Sequence, residues 1–245
     1  VHWPEVIVTY DSKEKILFSA DAFGKFGVYD ASPDDWACEA RRYYFNIVGN
    51  YGTPVQNVLK KLSSFSIEKI CPLHGPVLTE NLDYYIGKYI TWSSYAPEDS
   101  GVLIAFASIY GNTKKAALFL EEKLKQAGVE KIVLSDLARS DMAEVIEDAF
   151  RYDRMILMAP TYDAGLFPVM ESFLHHLKAK NYCNRKIGLV ENGSWAPVAV
   201  KKMQEIIIEM KNISLAEKTV TILSTLNETT EKELENLAKE MSVSS

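Results

Sequence analysis

The feature that most constrains the fold is a regular alternation of apolar and amphipathic runs after residue 100. The first apolar run, Val102–Ala107, has no polar alternation, as in a strand that is buried on both faces. Strands that alternate with helices predict a parallel sheet covered by helices on both faces. We therefore predict an α/β, doubly wound domain with a five-stranded parallel sheet. The predicted strands are Val102–Ala107, Ile132–Leu134, Met155–Ala159, Ile187–Val190 and Thr219–Leu223, and the predicted helices are Lys114–Ala127, Met142–Arg151, Pro168–Lys178, Pro197–Lys211 and Thr229–Met241.

The first 92 residues have a different pattern and predict a separate domain. Two short strands form a hairpin, two helical stretches follow, and a third strand precedes an aromatic helix, "LDYYIGKYITW". We place a polar linker at 93–100 and the second domain at 101–245. Because an apolar strand begins almost at once, we expect the sequence to enter the first domain in its middle. The first-domain elements are predicted at Val6–Val8, Ile16–Phe18, 33–48, 54–63 and Ile67–Cys71.

Charge and composition exclude several classes of partner. The net charge is −6 and no basic run is present, which argues against nucleic acid and anionic membranes. No apolar stretch approaches the roughly 18 residues of a membrane span. The cysteines Cys38, Cys71 and Cys183 are far apart and show no metal or redox spacing. Isolated cysteines of this kind predict a cytoplasmic protein.

The turn "SIYGNTKK", residues 108–115, joins the first predicted strand to a helix and is a candidate anion site. Free N–H groups and the helix dipole favour an anion there. The Walker pattern is missing, and the dinucleotide pattern needs three glycines where only Gly111 is present. A monophosphate fits the turn, and so does a plain βα turn with an Asn/Thr cap and no ligand.

Two further turns, at 160–167 and 191–197, follow the third and fourth predicted strands. The carboxyl ends of parallel strands meet at one edge of the sheet, where such folds bind ligands. We therefore expect all three turns to converge on one ligand.

The motifs together resemble those of one family. "SIYGNTKKAA" is similar to the FMN-phosphate loop of flavodoxins, and "APTYDAGLFPVMESFLHHL" and "GLVENGSW" resemble the two isoalloxazine-contacting loops of flavodiiron proteins. "VHWPEV", "ILFSADAFG" and "CPLHGPV" resemble, in order, the later half of that family's metallo-β-lactamase-like di-iron domain. The resemblance covers essentially the whole chain. It implies a partial αββα domain of that type before the flavodoxin-like domain.

The resemblance implies that FMN is bound by the three loops. The backbone groups of the second loop would face the N5 edge of the flavin. Many members have a glycine-rich run after the aromatic residue of the last loop, and here Ala196 and Pro197 replace it. The resemblance therefore leaves open whether Trp195 or Tyr162 would cover the ring. The implied cofactor-binding residues are Ser108, Tyr110, Gly111, Asn112, Thr113, Pro160, Thr161, Tyr162, Asp163, Ala164, Gly165, Asn192, Gly193, Ser194 and Trp195.

Three residues beside predicted strands are candidate metal ligands: His2, Asp21 and His74. Each alone is more often a structural residue than a ligand. The resemblance implies that His2 and His74 each bind one iron, that Asp21 bridges the irons, and that the three are catalytic. The family's earlier ligand motif, His-x-Glu-x-Asp-His, is not in this sequence, so we expect a partial metal site.

For the intact protein the resemblance implies an FMN-dependent oxidoreductase. It would pass electrons from FMN to a non-haem di-iron centre that reduces dioxygen to water or nitric oxide to nitrous oxide. The expected donor is rubredoxin or a flavin reductase, and the expected assembly is a head-to-tail homodimer. Two alternatives remain open at this point: a flavodoxin-like electron carrier without metal chemistry, and an NAD(P)H-dependent FMN or quinone reductase.

Overall fold

The computed structural model describes residues 6–26 and 33–243 of the chain. The chain divides into two compact units, residues 1–96 and 97–245. His2, one of the predicted metal ligands, lies outside the described residues.

The first unit has a three-stranded sheet and helices that share an aromatic core. Strand β1 pairs antiparallel with β2, and β2 pairs in parallel with β3. Trp36, Tyr44 and Trp92 are almost fully buried, and the Trp36 and Trp92 rings stack at 5.9 Å. The elements are β1 (Thr9–Asp11), β2 (Ile16–Phe18), α1 (Pro33–Tyr43), a π-helical turn (Tyr44–Val48), a 3₁₀ turn (Gly49–Tyr51), α2 (Gly52–Leu62), β3 (Lys69–Cys71) and α3 (Leu82–Ser93).

The hairpin of the first unit begins later than predicted, and the placement of its first strand at Val6–Val8 was wrong. Strand β1 starts at Thr9 and extends to Asp11, which pairs with Ile16. The strand therefore includes Asp11, which the sequence pattern alone had placed in the turn. The Asp11 carboxylate accepts the N–H groups of Lys13 and Glu14, at 2.9 and 3.1 Å. This local bonding closes the turn tightly and leaves three residues of strand on each side.

The second unit is a parallel sheet of five main strands in the order β10-β8-β6-β4-β5. Two short strands extend it: β7 pairs with β6, and β9 pairs with β8. The elements are β4 (Asp99–Phe106), α4 (Asn112–Gln126), β5 (Ile132–Asp136), α5 (Met142–Arg151), β6 (Tyr152–Tyr162), β7 (Gly165–Leu166), α6 (Pro168–Ala179), β8 (Arg185–Asn192), α7 (Ala199–Ile207), β9 (Ile213–Leu215), β10 (Val220–Ile222) and α8 (Glu228–Ser242).

Helices cover both faces of this sheet, which confirms the predicted flavodoxin-like fold. Helices α4 and α8 pack together over one face, where Val102, Ile104 and Phe106 of β4 are buried. Helices α5, α6 and α7 pack side by side, α5 against β4 and β6 and α7 against β6 and β8. The intervening residues Leu103 and Ala105 are also fully buried. Burial on both faces explains why β4 reads as an uninterrupted apolar run.

Strand β4 begins three residues earlier than the sequence predicted. Asp99 pairs with Tyr152, and the register then shifts before Val102 pairs with Arg154. A polar residue at the start of a strand gives no hydrophobic signal, so pattern alone placed the boundary too late. Among the described residues, no helix is long and apolar enough to cross a lipid bilayer.

Candidate functional site

The three loops that were predicted to meet follow three neighbouring strands. Strand β6 lies between β4 and β8, with Phe106 beside Met158 and Pro160 beside Asn192. Because all three strands are parallel, their carboxyl ends lie at the same edge of the sheet. The order of the strands also reverses here: the chain goes from β4 outward to β5 and then back to β6, on the other side of β4. This is the position at which doubly wound sheets bind ligands.

The turn after β4 is held open by one buried side chain. The Ser108 hydroxyl accepts the N–H groups of Gly111, at 3.1 Å, and Lys114, at 3.3 Å. Gly111 has φ of +89° and no atom lies within 4 Å of where its Cβ would be. A residue without a side chain is favoured at this φ, and it leaves free space in front of the helix.

Helix α4 begins at this turn with unbound donors. Its N-cap is Gly111, which supplies no side-chain cap. Within residues 6–26 and 33–243, no acceptor bonds the backbone N–H of Asn112 or Thr113. Two free N–H groups at the positive end of a 15-residue helix, with open space before them, form an anion-binding cradle.

The loop after β6 is a two-residue β-hairpin. Thr161 pairs with Leu166 and Tyr162 with Gly165, which leaves Asp163 and Ala164 at the turn. Both turn residues have positive φ, +48° and +54°. Two positive φ values are the signature of a type I′ turn, which matches the twist of the flanking strands. The turn projects Tyr162, 43% exposed, from the edge of the sheet.

Thr161 does not point its hydroxyl at open solvent. Its Oγ1 accepts the N–H of Val198, at 2.8 Å, and that of Ala199, at 3.2 Å. These N–H groups lie at the start of α7, whose N-cap residue, Val198, makes no capping hydrogen bond with its own side chain. Of the predicted cofactor residues, Thr161 is therefore one whose side chain has a partner inside the protein.

The loop after β8 carries an exposed aromatic on an anchored backbone. The Asn192 amide donates to the carbonyl of Ser224 at 3.1 Å, and the hydroxyls of Ser194 and Ser224 lie 2.9 Å apart. The Gly193 N–H donates to Ile222 at 3.0 Å. Trp195 is 85% exposed at the tip of this loop. An exposed indole on a fixed loop is suited to stacking against a flat ligand.

Sequence reasoning missed Ser224 as part of this site and the structural role of Glu191, which it took only as a negative charge at the end of a strand. The buried Glu191 carboxylate accepts the N–H of Val200 and the hydroxyl of Thr221, both at 2.9 Å. Ser224 has φ of +69° and contributes through its carbonyl and hydroxyl, and no sequence pattern marks it.

In the first unit Asp21 and His74, two of the candidate metal ligands, lie close together. They follow the parallel strands β2 and β3, and Asp21 Oδ1 lies 3.5 Å from His74 Nε2. The Tyr43 hydroxyl donates to Asp21 Oδ2 at 3.3 Å. Burial, and then the neighbouring charge of Asp21, raises the pKa of Tyr43 and keeps that phenol protonated as a donor.

The His74 ring is held from several sides. It stacks on Phe26 at 4.1 Å between ring centroids, and its Nδ1 lies 3.3 Å from the carbonyl of Lys25. A Cβ on Gly24 would lie 2.6 Å from the ring. With Nδ1 at a carbonyl, Nε2 is the nitrogen that faces Asp21, the arrangement that fixes the tautomer of a metal-binding histidine.

These two side chains do not make a complete metal centre. Within the described residues, no group of three or more His, Cys, Asp or Glu side chains is placed to hold one metal ion. Asp21 and His74 supply one carboxylate and one imidazole, and affinity depends on ligand number. The described residues thus fit part of a di-iron site and not a whole one.

Comparison with known proteins finds a family match in the second unit. The family model described as "Flavodoxin domain" matches residues 103–209. An uncharacterized protein of Methanocaldococcus jannaschii is 28% identical over 84% of this chain and 53% of its own length. The anaerobic nitric oxide reductase flavorubredoxin of Aeromonas hydrophila is 24% identical over 83% of this chain and 43% of its own length. The chain spans about half the length of the curated relatives it matches.

Solved structures extend the likeness to both units. The rubredoxin oxygen:oxidoreductase of Desulfovibrio gigas has a TM-score of 0.90 and 22% identity, over 98% of this chain and 62% of its own. The flavodiiron protein of Giardia intestinalis has the same TM-score and identity, over 99% of this chain and 61% of its own. The second unit thus contains the match to the flavodoxin family model and has a flavodoxin-like fold. The chain as a whole has the fold of flavodiiron proteins, so the resemblance predicted from its motifs is confirmed.

Proposed function

We propose that this chain binds FMN at the carboxyl edge of β4, β6 and β8 and works as an electron-transfer oxidoreductase. The observation that carries the proposal is the open cradle at the start of α4, two strands away from the exposed Trp195. One end of this edge offers free N–H groups to a phosphate, and the other offers aromatic side chains to a flat ring. FMN has one terminal phosphate and one flat ring system.

The predicted FMN residues fit the cofactor in two ways. Ser108 and Gly111 shape the cradle, where Asn112 and Thr113 present N–H groups to the phosphate. The backbone of 160–165 and the loop 192–195 would hold the ring. Bound FMN would supply reversible one- and two-electron transfer, and the chain would supply binding, orientation and exclusion of water.

We further propose that, in the intact protein, the electrons go to a non-haem di-iron centre that reduces dioxygen or nitric oxide. The names of the similar proteins, an oxygen oxidoreductase and a nitric oxide reductase, support this reaction class. The juxtaposition of Asp21 and His74, at 3.5 Å, supports their predicted part in the metal site. His2 stays a predicted ligand. A head-to-tail homodimer and a rubredoxin or flavin-reductase donor belong to the same proposal.

A titration of the purified chain with FMN and with FAD tests the central part of the proposal. We expect one FMN per chain and much weaker binding of FAD, because the turn lacks the glycines of a dinucleotide site. Equal affinity for FAD, or no flavin binding, would contradict it. Oxidation of NADH by the FMN-loaded chain, without an added carrier, would instead indicate a direct NAD(P)H-dependent reductase.

A further inference from the structure

Helix α7 is capped by side chains from two strands and not by its own residues. The N–H groups of its N-cap residue and of its first two residues, at positions 198 to 200, all have side-chain acceptors from outside the helix. Thr161 on β6 accepts those of Val198 and Ala199, and Glu191 on β8 accepts that of Val200. The start of α7 is therefore closed to an anion, whereas the start of α4 is open.

These bonds also fix one end of the loop that carries Trp195. The other end is fixed by the Gly193 N–H on Ile222, at 3.0 Å, and by the contact of the Ser194 and Ser224 hydroxyls. Between the two ends the loop is tight, because a Cβ on Gly193 would lie 3.0 Å from Pro197. The indole of Trp195 is 85% exposed, so the backbone of this loop decides where it lies.

Thr161 also belongs to the other loop predicted to contact the ring. Its backbone pairs with Leu166 in the hairpin that carries Tyr162. One residue thus joins the hairpin through its backbone and the Trp195 loop through its hydroxyl. The pairing of Pro160 with Asn192 also joins the two loops at their bases, and Thr161 adds a side-chain contact at Val198.

We propose that Thr161 is a positioning residue that sets the Trp195 loop against the 162–165 hairpin before the flavin ring binds. The inference rests on the proposed FMN site and assigns Thr161 a role in holding the ring and not the phosphate. A loop ordered in advance loses less conformational freedom on binding, which increases affinity. Among the described residues, the hydrogen bonds of Ser108 in the phosphate cradle and those of Thr161 share no partner, so we expect the two contributions to be separate.

Riboflavin and FMN separate the two contributions, because riboflavin lacks the phosphate. In Thr161→Val, which keeps the shape and removes the acceptor, we expect the Kd of both ligands to rise about tenfold, so that their ratio is unchanged. Thr161→Ser, which keeps a hydroxyl, should restore both Kd values to within about twofold of the parent. The matched control Asn112→Ala/Thr113→Ala should weaken FMN and leave riboflavin unchanged.

Hydrogen exchange of the unsubstituted chain gives a second measurement that needs no variant. We expect the amides of Val198 and Ala199 to be protected before FMN is added and to change little when it binds. Fast exchange without FMN would overturn the inference, as would parental Kd values in Thr161→Val, a failure of Thr161→Ser to restore them, or weakening of FMN alone. If the unsubstituted chain binds no flavin, the proposed FMN site itself is wrong. If it binds flavin but the Thr161 variants behave otherwise than expected, only the positioning role of Thr161 is wrong.

Discussion

At the residue scale, the candidate site depends on a few groups that the fold leaves without protein partners. The N–H groups of Asn112 and Thr113 are such a pair in the described part of the chain. Hydrogen bonds to a charged group are each worth about 1.5–3 kcal/mol, more than neutral ones. A phosphate in the cradle can therefore provide a large share of the affinity for FMN.

Replacing Asn112 and Thr113 together by Ala should release the flavin. If both side chains bond the phosphate, the Kd for FMN should rise by at least about a hundredfold. Fluorescence titration measures this, and gel filtration should separate the yellow cofactor from the chain. The control Gln126→Ala lies on the exposed surface of the same helix and should bind like the parent. A double variant that keeps its colour would show that these two side chains do not bind the phosphate, because alanine keeps both backbone N–H groups.

At the element scale, the β6–β7 hairpin has an alanine, Ala164, where its turn type favours glycine. Ala164 has φ of +54°, and the left-handed conformation costs an L-residue roughly 1–2 kcal/mol. The hairpin is maintained by the pairing of β7 with β6 and by the edge-on contact of Tyr162 with Phe167, whose ring centroids are 5.4 Å apart. Strain of this kind is often retained beside a functional site.

Ala164→Gly should therefore stabilise the chain. Glycine removes the strain, although it adds freedom to the unfolded chain, so we expect a gain of about 0.5–1 kcal/mol in the free energy of unfolding. Urea denaturation measures it. Ala143→Gly, in helix α5, should have the opposite effect because glycine is a poor helix former. A loss of stability in Ala164→Gly would contradict the strain argument.

The start of β4 is tied to its neighbours by ion pairs. Asp99 accepts from Lys131, before β5, at 2.5 Å and from Arg151, at the end of α5, at 2.7 Å. Burial alone would raise the pKa of Asp99, but the hydrogen bonds and charges of Lys131 and Arg151 outweigh it and lower the pKa below its ordinary value of 3.8. A carboxyl whose folded pKa is lowered stabilises the fold above its unfolded pKa and loses that effect as the pH falls.

We expect Asp99→Asn to be less stable than the parent at pH 7 and to lose less stability on acidification. The difference between the two proteins should be constant above about pH 5 and should shrink as the pH falls through 4 and below. Urea midpoints at several pH values measure it. Glu130→Gln, at an exposed carboxyl, is the matched control and should follow the parent. A difference that grows in acid would contradict the sign of this linkage.

At the scale of the whole molecule, the two units differ in how complete their sites are. The second unit brings three loops to one edge of one sheet, whereas the first unit brings together Asp21 and His74. With the predicted His2 included, three side chains would have to hold two irons. Two irons held by so few ligands exchange readily with water and chelators.

This chain, loaded with ferrous iron and passed through a chelating column, should retain far less than two irons per molecule. Metal analysis measures the iron, and flavin absorbance should show that FMN stays bound. His74→Ala should lower the residual iron further and leave FMN unchanged, because the proposed FMN residues lie in the second unit. Two irons retained tightly by the 245-residue chain would show that other residues complete the site.

The sequence by itself determined the class of fold and the three loops of the candidate site. Burial on both faces leaves a direct mark in a strand such as β4, and a strand–turn–helix order places a turn at the edge of the sheet. Only the tertiary structure decided what each side chain does there. Thr161 caps a helix 37 positions further along the chain, Glu191 caps the same helix from the neighbouring strand, and Asp99 extends a strand through pairing with Tyr152. Such contacts join residues about 9 to 53 positions apart, and a local pattern of polarity carries no information about partners brought together by the sheet.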